Sequence, residues 1–275
     1  MPRLGIHTSI AGSLAGAAEK AAALGCETFQ IFSASPRMWR AAALDPEQVR
    51  LFRRAREKHD LHPLVIHDNY LINLPSAEEA IRARSIAAFR GELERAMTLG
   101  AEYLVLHPGS SRGQPLEQAM QTFARSMAAA ARGLKLDGLE ILLENTAGGG
   151  ATMGRQPAEL IELRRLALER VQLPIGFCID TAHCFQAGLD FFAVLDSCHP
   201  AAVRVIHCND SRTPFGSRLD RHEHIGKGGI GRNGFRRLLR HPGLRKMALI
   251  LETPLEKEGD ERRNLRALKA LLGSP

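Results

Sequence analysis

The feature that most constrains this chain is a repeated alternation of short apolar runs with longer alanine- and leucine-rich stretches along its 275 residues. A β-branched run, a polar turn and an amphipathic stretch, in that order, are typical of a βα unit. Eight such units in about 250 residues predict a (β/α)₈ TIM barrel of the α/β class, with an open doubly wound sheet as the structural alternative. The predicted strands are Leu4–His7, Thr28–Phe32, Leu64–His67, Tyr103–His107, Leu139–Glu144, Gly176–Asp180, Val203–His207 and Ala248–Glu252.

The amphipathic stretches between the strands predict helices, and local signals mark several helix ends. Asp45 followed by Pro46 predicts an N-cap with proline at the first helical position, and Ser76 with Glu79 predicts a capping box. No segment has the character of an interdomain linker, so we predict a single domain over residues 1–275. The predicted helices lie near residues 13–24, 45–58, 76–99, 115–133, 157–169, 188–197, 234–240 and 260–272.

Composition narrows the cellular setting and the partners. The apolar runs are shorter than the roughly 18 residues that a membrane span needs, and the N-terminus lacks the pattern of a secretory signal. Five scattered cysteines without a C-x-x-C pair predict reduced packing residues. We therefore expect a cytoplasmic protein with no membrane partner. Its 37 basic and 30 acidic residues give a net charge of +7, which favours a polyanionic partner, although a solvated arginine-rich surface gives the same charge.

Six of the eight predicted strands end in a residue that can bind a metal ion. Successive members are separated by 40, 37, 36, 27 and 45 residues, or about one βα unit each. A barrel collects the carboxyl ends of its strands in one ring, where the active sites of such barrels are found. Singly, each residue could be a hydrogen-bonded histidine or a cap; together they predict a metal centre. The six residues are His67, His107, Glu144, Asp180, His207 and Glu252.

Three further residues extend this set of candidate ligands. His183 lies three residues after Asp180, and Asp220 and His222 lie two apart in a predicted loop, where alternate side chains point the same way. Nine ligands exceed the four or so that one zinc ion takes, so two or three ions are expected. Nitrogen and oxygen donors suit zinc or manganese.

The charge of such a centre indicates its substrate. Three divalent ions would carry six positive charges against the four carboxylates of Glu144, Asp180, Asp220 and Glu252, leaving an excess that attracts an anion. Clustered divalent ions activate water and stabilise both oxygens of an in-line phosphodiester displacement. The sequence therefore predicts hydrolysis of a phosphate ester.

Several long motifs of the chain resemble the endonuclease IV family of abasic-site DNA endonucleases. The resemblance runs in order from about residue 4 to 254. It is carried by His67-Asp68-Asn69-Tyr70-Leu71-Ile72-Asn73-Leu74, His107-Pro108-Gly109-Ser110, Glu144-Asn145-Thr146-Ala147-Gly148, Cys178-Ile179-Asp180-Thr181-Ala182-His183, His207-Cys208-Asn209-Asp210, Phe215-Gly216-Ser217-Arg218-Leu219-Asp220-Arg221-His222 and Leu251-Glu252-Thr253.

The resemblance implies a base-excision-repair enzyme with three zinc ions that cleaves duplex DNA 5′ to an abasic site, leaving a 3′-hydroxyl and a 5′-deoxyribose phosphate. It implies no nucleotide cofactor, a cytoplasmic, nucleoid-associated monomer, and a metal-bound hydroxide as the nucleophile. Manganese could replace zinc at some positions. The implied ligands are His67 and His107 for one ion; Asp180, His207 and Glu252 for a second; His183, Asp220 and His222 for a third; and Glu144 as the bridge between the first two.

The resemblance also implies loops that press into the minor groove and flip the damaged nucleotide out of the duplex. The matching residues are Arg37, Tyr70 and Leu71, and an arginine with an apolar wedge can fill the gap left by a missing base. Two alternatives stay open at this point: Trp39 could simply pack over the barrel rim, and Tyr70 could hydrogen-bond near His67.

Two other functions compete with the nuclease. A sugar isomerase or epimerase on a similar barrel would use a Glu, Asp, His, Glu set equivalent to Glu144, Asp180, His207 and Glu252, with a single ion. That function leaves the other five ligands without a role. A DNA-binding protein without catalysis is supported only by the basic net charge.

Overall fold

The computed structural model describes residues 2–273, and within them eight parallel strands close into a barrel. Each barrel strand pairs with its neighbours along the chain, and the last pairs with the first, so the closed barrel is confirmed and the open sheet is wrong. A short antiparallel pair, β8 with β9, lies in the connection after β7. The strands are β1 (Arg3–His7), β2 (Thr28–Phe32), β3 (Leu64–His67), β4 (Tyr103–Leu106), β5 (Glu140–Glu144), β6 (Ile175–Asp180), β7 (Val203–His207), β8 (Asp210–Ser211), β9 (His222–Glu223) and β10 (Ala248–Leu251).

Helices follow the strands and cover the outside of the barrel, where their apolar faces pack on the strands, as Phe52 does edge-on against Phe29. None of the helices within residues 2–273 is long and apolar enough to cross a membrane. The helices are α1 (Leu14–Ala23), α2 (Pro46–Lys58), α3 (Glu79–Leu99), α4 (Leu116–Ala131), α5 (Pro157–Leu168), α6 (Thr181–Ala187), α7 (Phe191–Ser197), α8 (Gly231–Leu239) and α9 (Asp260–Leu272).

The Asp45 cap is confirmed, but two predictions about helices were wrong. Asp45 accepts a hydrogen bond from the Glu47 amide, and Pro46 opens α2. The capping box at Ser76 does not form, because α3 begins only at Glu79 and the Ser76 amide instead donates to Asn73 in a preceding turn. The sequence analysis also missed α6, whose seven residues are too few for a clear amphipathic period.

The interior of the barrel explains how the candidate ligands come together. Successive side chains of a strand alternate between its two faces, so residues two apart share a face. One apolar residue from each of six strands fills the barrel interior, and the residue two positions later is a candidate ligand in every case. The six buried apolar residues are Val65, Val105, Leu142, Cys178, Val205 and Ile250. The ligands therefore continue the inner face of the barrel to its carboxyl-terminal mouth.

The five cysteines are all buried and free, as the sequence predicted. Cys178 lies below the mouth, and burial raises the pKa of its thiol well above the ordinary value. A protonated thiol in an apolar layer is a packing group.

Candidate metal centre

The nine candidate ligands lie together at the carboxyl-terminal mouth, and all but Asp180 and His207 line a cavity of about 250 Å³. Donor atoms of the candidate ligands that lie within 4.8 Å of one another form three sets, which we call the first, second and third set, and a further group joins the Cys178 thiol to Glu144 and His207. The first set is His67, His107 and Glu144; the second is Glu144, Asp180, His207 and Glu252; the third is Asp180, His183 and His222.

Asp220 belongs with the third set by position. It lies in the loop that ends at β9, and its carboxylate oxygens lie 3.3 Å from His183 Nε2 and 3.4 Å from His222 Nε2. More than half of its side-chain surface is exposed, whereas Asp180 is fully buried. The third set therefore has one buried and one solvent-facing carboxylate.

Glu144 lies at the centre of the cluster, and its two oxygens face different sets. Its Oε2 lies 3.1 Å from His67 Nε2 and 3.5 Å from His107 Nε2. Its Oε1 lies 2.8 Å from His207 Nδ1. The carboxylate is almost fully buried. This is the arrangement that a carboxylate needs to join two metal positions.

Backbone carbonyls fix which ring nitrogen of three histidines faces the cluster. His67 Nδ1 lies 3.0 Å from the Asp68 carbonyl oxygen, and His183 Nδ1 lies 2.9 Å from that of Asn145. His222 Nδ1 lies 3.1 Å from the Glu252 carbonyl oxygen. A carbonyl only accepts, so each Nδ1 donates to it and each Nε2 is the ring nitrogen that faces the cluster.

In His207 the two ring nitrogens have the opposite roles, with Nε2 hydrogen-bonded and Nδ1 facing the cluster. Its Nε2 donates to Gln30 Oε1 at 2.8 Å, which leaves Nδ1 facing Glu144 and, at 3.2 Å, Glu252 Oε2. Histidines that donate one ring N–H to an acceptor and present the other nitrogen to a group of carboxylates are typical of metal ligands.

One buried atom directly tests whether the residues fit a metal. His222 Nε2 is buried, and no hydrogen-bond partner for it exists among residues 2–273. It points at Asp180 Oδ2 from 3.6 Å, beyond hydrogen-bond range. A buried nitrogen lone pair aimed at carboxylates is satisfied by a cation between them. Imidazole nitrogens and carboxylate oxygens suit zinc and manganese, so the residues fit the implied ions.

Neighbouring charges shift the pKa values of the cluster in opposite directions. Burial opposes ionisation of Glu144, but the rings of His207 and His107 outweigh it and hold the carboxyl pKa well below its ordinary value. Burial likewise opposes a charge on His67, but its hydrogen bond to Glu144 and the nearby carboxylates raise the pKa to about 10. At His107 burial dominates and lowers the pKa to about 4. Burial also opposes a charge on His183 and His207, but the nearby carboxylates raise the pKa of both, so metal binding would displace protons from the cluster.

Asparagine and backbone groups position Asp180. Its Oδ1 accepts the His183 backbone N–H at 2.9 Å, so it caps α6, and its Oδ2 accepts from Asn209 Nδ2 at 2.6 Å. The Asp180 N–H donates to Asn145 Oδ1 at 2.7 Å. The sequence analysis treated a helix cap and a metal ligand as alternatives for Asp180, and the geometry allows both. Asn145 and Asn209 follow strand ends within the quoted motifs, but were not singled out.

Asp210 orients the loop that carries the third set. Its buried carboxylate accepts backbone N–H groups of Gly226, Gly228 and Ile230 at 2.9 to 3.0 Å. The backbone of the same residue pairs with Glu223, beside His222. The backbone N–H groups of the glycine-rich segment 226–231 therefore surround the carboxylate of Asp210.

The residues predicted to contact DNA lie on two loops that are joined to each other. Asn69 Nδ2 donates to the Met38 carbonyl oxygen at 2.5 Å, and the Tyr70 N–H donates to Pro36 at 3.1 Å. Arg37 and Tyr70 are exposed, and Leu71 is half-buried.

Both open alternatives concern aromatic side chains of these loops. The Tyr70 ring packs 5.2 Å from that of Phe32 and 6.4 Å from that of His67. Its hydroxyl forms no hydrogen bond to any described residue, so Tyr70 contacts His67 only through its ring. Trp39 is half-buried and lines a groove beside α3.

Comparison with known proteins identifies close relatives of the chain. The family model described as "Xylose isomerase-like TIM barrel" matches residues 18–271. The chain is 53% identical to a "Probable endonuclease 4" of Solibacter usitatus over 282 aligned positions, which cover 99% of this chain and 97% of the relative. It is 39% identical to the crystal structure of endonuclease IV from Thermus thermophilus, with a TM-score of 0.85 and coverage of 98% and 99%.

A sugar-active protein also shares the fold. The crystal structure of a D-tagatose 3-epimerase-like protein matches with a TM-score of 0.75 at 19% identity, covering 98% of this chain and 97% of that one. At that identity the likeness concerns the barrel alone.

Proposed function

This chain belongs to the endonuclease IV family of DNA-cleaving enzymes, and from that premise we propose that it hydrolyses duplex DNA 5′ to abasic sites, leaving a 3′-hydroxyl and a 5′-deoxyribose phosphate. The observation that carries the proposal is the convergence of nine nitrogen and oxygen ligands in one cluster. The sugar isomerase alternative accounts for only four of the nine. A DNA-binding protein without catalysis needs none of them.

Three divalent cations would occupy the three sets, with zinc expected and manganese possible at some positions. Glu144 would join the first two ions, and Asp220 would complete the third position from its solvent side. When bound, such ions activate a water molecule and neutralise charge on the phosphodiester oxygens.

The chain's own residues define what can reach this centre. A cavity of about 250 Å³ lies at or below the roughly 300–1,000 Å³ of sites that enclose drug-sized ligands. An intact duplex cannot enter it, so the scissile phosphodiester must be brought in on a distorted strand. Because an abasic nucleotide lacks a base and its stacking, it is the easiest nucleotide to rotate into the mouth. This size limit supports specificity for abasic sites.

Arg37, Tyr70 and Leu71 are suited to hold the DNA in that distorted form. They project from the two joined loops beside the mouth, where a cation and apolar groups can enter the minor groove. We further propose that the chain acts as a monomer, because the ligands of all three sets come from one barrel.

The function is tested with two duplexes that differ only at one position, an abasic nucleotide in one and an ordinary nucleotide in the other. We expect the zinc-loaded protein to nick only the abasic duplex, on its 5′ side, with product ends extendable by a DNA polymerase. Incision of both duplexes at equal rates would contradict abasic specificity. Failure to nick either duplex with three ions bound would contradict the proposed function.

We predict that Tyr70→Ala weakens binding to the abasic duplex by about tenfold or more, since loss of one stacked or inserted aromatic group costs about 1–3 kcal/mol. Metal content should stay at the wild-type value, because Tyr70 is not a candidate ligand and contacts His67 only through its ring. Fluorescence anisotropy with the labelled duplex and mass spectrometry of bound metal check the two expectations. A fall in bound zinc would show instead that Tyr70 supports His67.

A further inference from the structure

Gln30 is a fully buried glutamine of β2 that the sequence analysis did not single out. Its amide lies between two ligands of the second set that come from distant parts of the chain. The Oε1 atom accepts from His207 Nε2 at 2.8 Å, and the Nε2 atom donates to Glu252 Oε1 at 2.5 Å. The same Nε2 donates to His7 Nδ1 at 3.0 Å. Both polar ends of the amide are therefore used.

The surroundings determine the orientation of this amide. Gln30 Nε2 donates to a carboxylate oxygen of Glu252, so the end of the amide that faces Glu252 is the NH₂. The carbonyl oxygen then faces His207, which must carry its proton on Nε2. The opposite orientation would place two oxygens 2.5 Å apart. One amide thus fixes the tautomer of His207 and the rotamer of Glu252.

We propose that Gln30 is a positioning residue for the ion of the second set, an inference that rests on the proposed function. By holding Nε2 of His207, Gln30 directs Nδ1 of that ring at the cluster, and by holding Oε1 of Glu252 it leaves Oε2 3.2 Å from the same nitrogen. Hydrogen-bond partners of metal ligands commonly change metal affinity 10- to 100-fold. Gln30 therefore sets the affinity of the second set without binding the ion itself, because both ends of its amide are engaged in hydrogen bonds.

If Gln30 only stabilised the fold, its substitution would lower thermal stability without changing metal binding. Thr28 provides the matched control, because it is also fully buried in β2, and its hydroxyl donates to the Pro63 carbonyl oxygen at 2.5 Å and not to a candidate ligand. Thr28→Val removes one buried hydrogen bond from the same strand. It should lower thermal stability without changing metal binding.

The experiment measures ions retained per chain after dialysis against a graded chelator, for wild type, Gln30→Met and Thr28→Val. We expect wild type and Thr28→Val to keep three ions and Gln30→Met to keep two, with the affinity for the lost ion reduced 10- to 100-fold. In protein loaded with Co²⁺ alone, the visible absorption bands should change in Gln30→Met and stay unchanged in Thr28→Val. Gln30→Glu keeps the length of the side chain but places a carboxylate against Glu252, so it should weaken binding of the same ion. It replaces Gln30→Met in the experiment if that variant folds poorly.

Wild-type retention curves and Co²⁺ spectra in both Gln30 variants would overturn the inference and leave Gln30 a structural residue, while the proposed function would stand. If the wild-type protein itself binds one ion or none, the proposed function fails, and the inference fails with it.

Discussion

Glu144→Gln is expected to reduce cleavage of an abasic duplex by at least about 100-fold, since loss of a residue that only supports a metal ligand already costs 10- to 100-fold. It should also weaken two ions together, because the two oxygens of Glu144 face different sets. An amide presents only one oxygen and no negative charge, so it cannot join two cations. The measurements are initial cleavage rates and bound metal per chain.

A surface glutamate provides the control for this substitution. Glu162→Gln makes the same chemical change on α5, where Glu162 pairs with the exposed Arg165 at the surface, and such pairs contribute little. Its activity and metal content should match wild type. Loss of a single ion in Glu144→Gln would show that the residue binds one metal and does not bridge two.

Removal of the metal ions is expected to abolish cleavage and to lower the melting temperature. Without cations, the buried carboxylates of Glu144 and Asp180 lose the charges that offset their desolvation. An ion present at 100 times its Kd stabilises the folded state by about 2.7 kcal/mol. For a domain of this size, loss of one such ion should lower Tm by roughly 5–11 °C.

Calorimetry and cleavage assays before and after chelation measure both effects. The control is the same chelator saturated with zinc beforehand, which should change neither quantity. Re-addition of zinc should restore activity and Tm. Full cleavage by protein that mass spectrometry finds free of metal would refute a metal-dependent mechanism.

The sequence was sufficient to predict the barrel and the position of the candidate ligands at its mouth, because both follow from the alternation of side chains along each strand. Apolar side chains on alternate strand positions identify the inner face, and the residue at each strand end continues that face. Val65 with His67 and Leu142 with Glu144 are such pairs. The predicted fourth strand ended at His107, one residue beyond the end of β4 at Leu106. Such an error in a strand bound does not change the face that a side chain occupies.

The residues that hold the ligands could not be predicted from spacing. Gln30 is 177 residues from His207 and 222 from Glu252, and only the closed barrel brings the three together. The alternation of side chains along β2 predicts that Gln30 lies on the inner face of the barrel. Nothing in the sequence, however, marks this glutamine as a neighbour of the candidate ligands. The short α6 was missed for a related reason, since its position depends on the Asp180 cap and on packing at the mouth.

The pairing of β10 with β1 has a consequence for synthesis of the protein. The second set includes Glu252, and Gln30 meets it only after this pairing has closed the ring. A nascent polypeptide that has not yet reached Glu252 therefore holds only part of the second set, and the set is assembled only when the last strand of the barrel has been added.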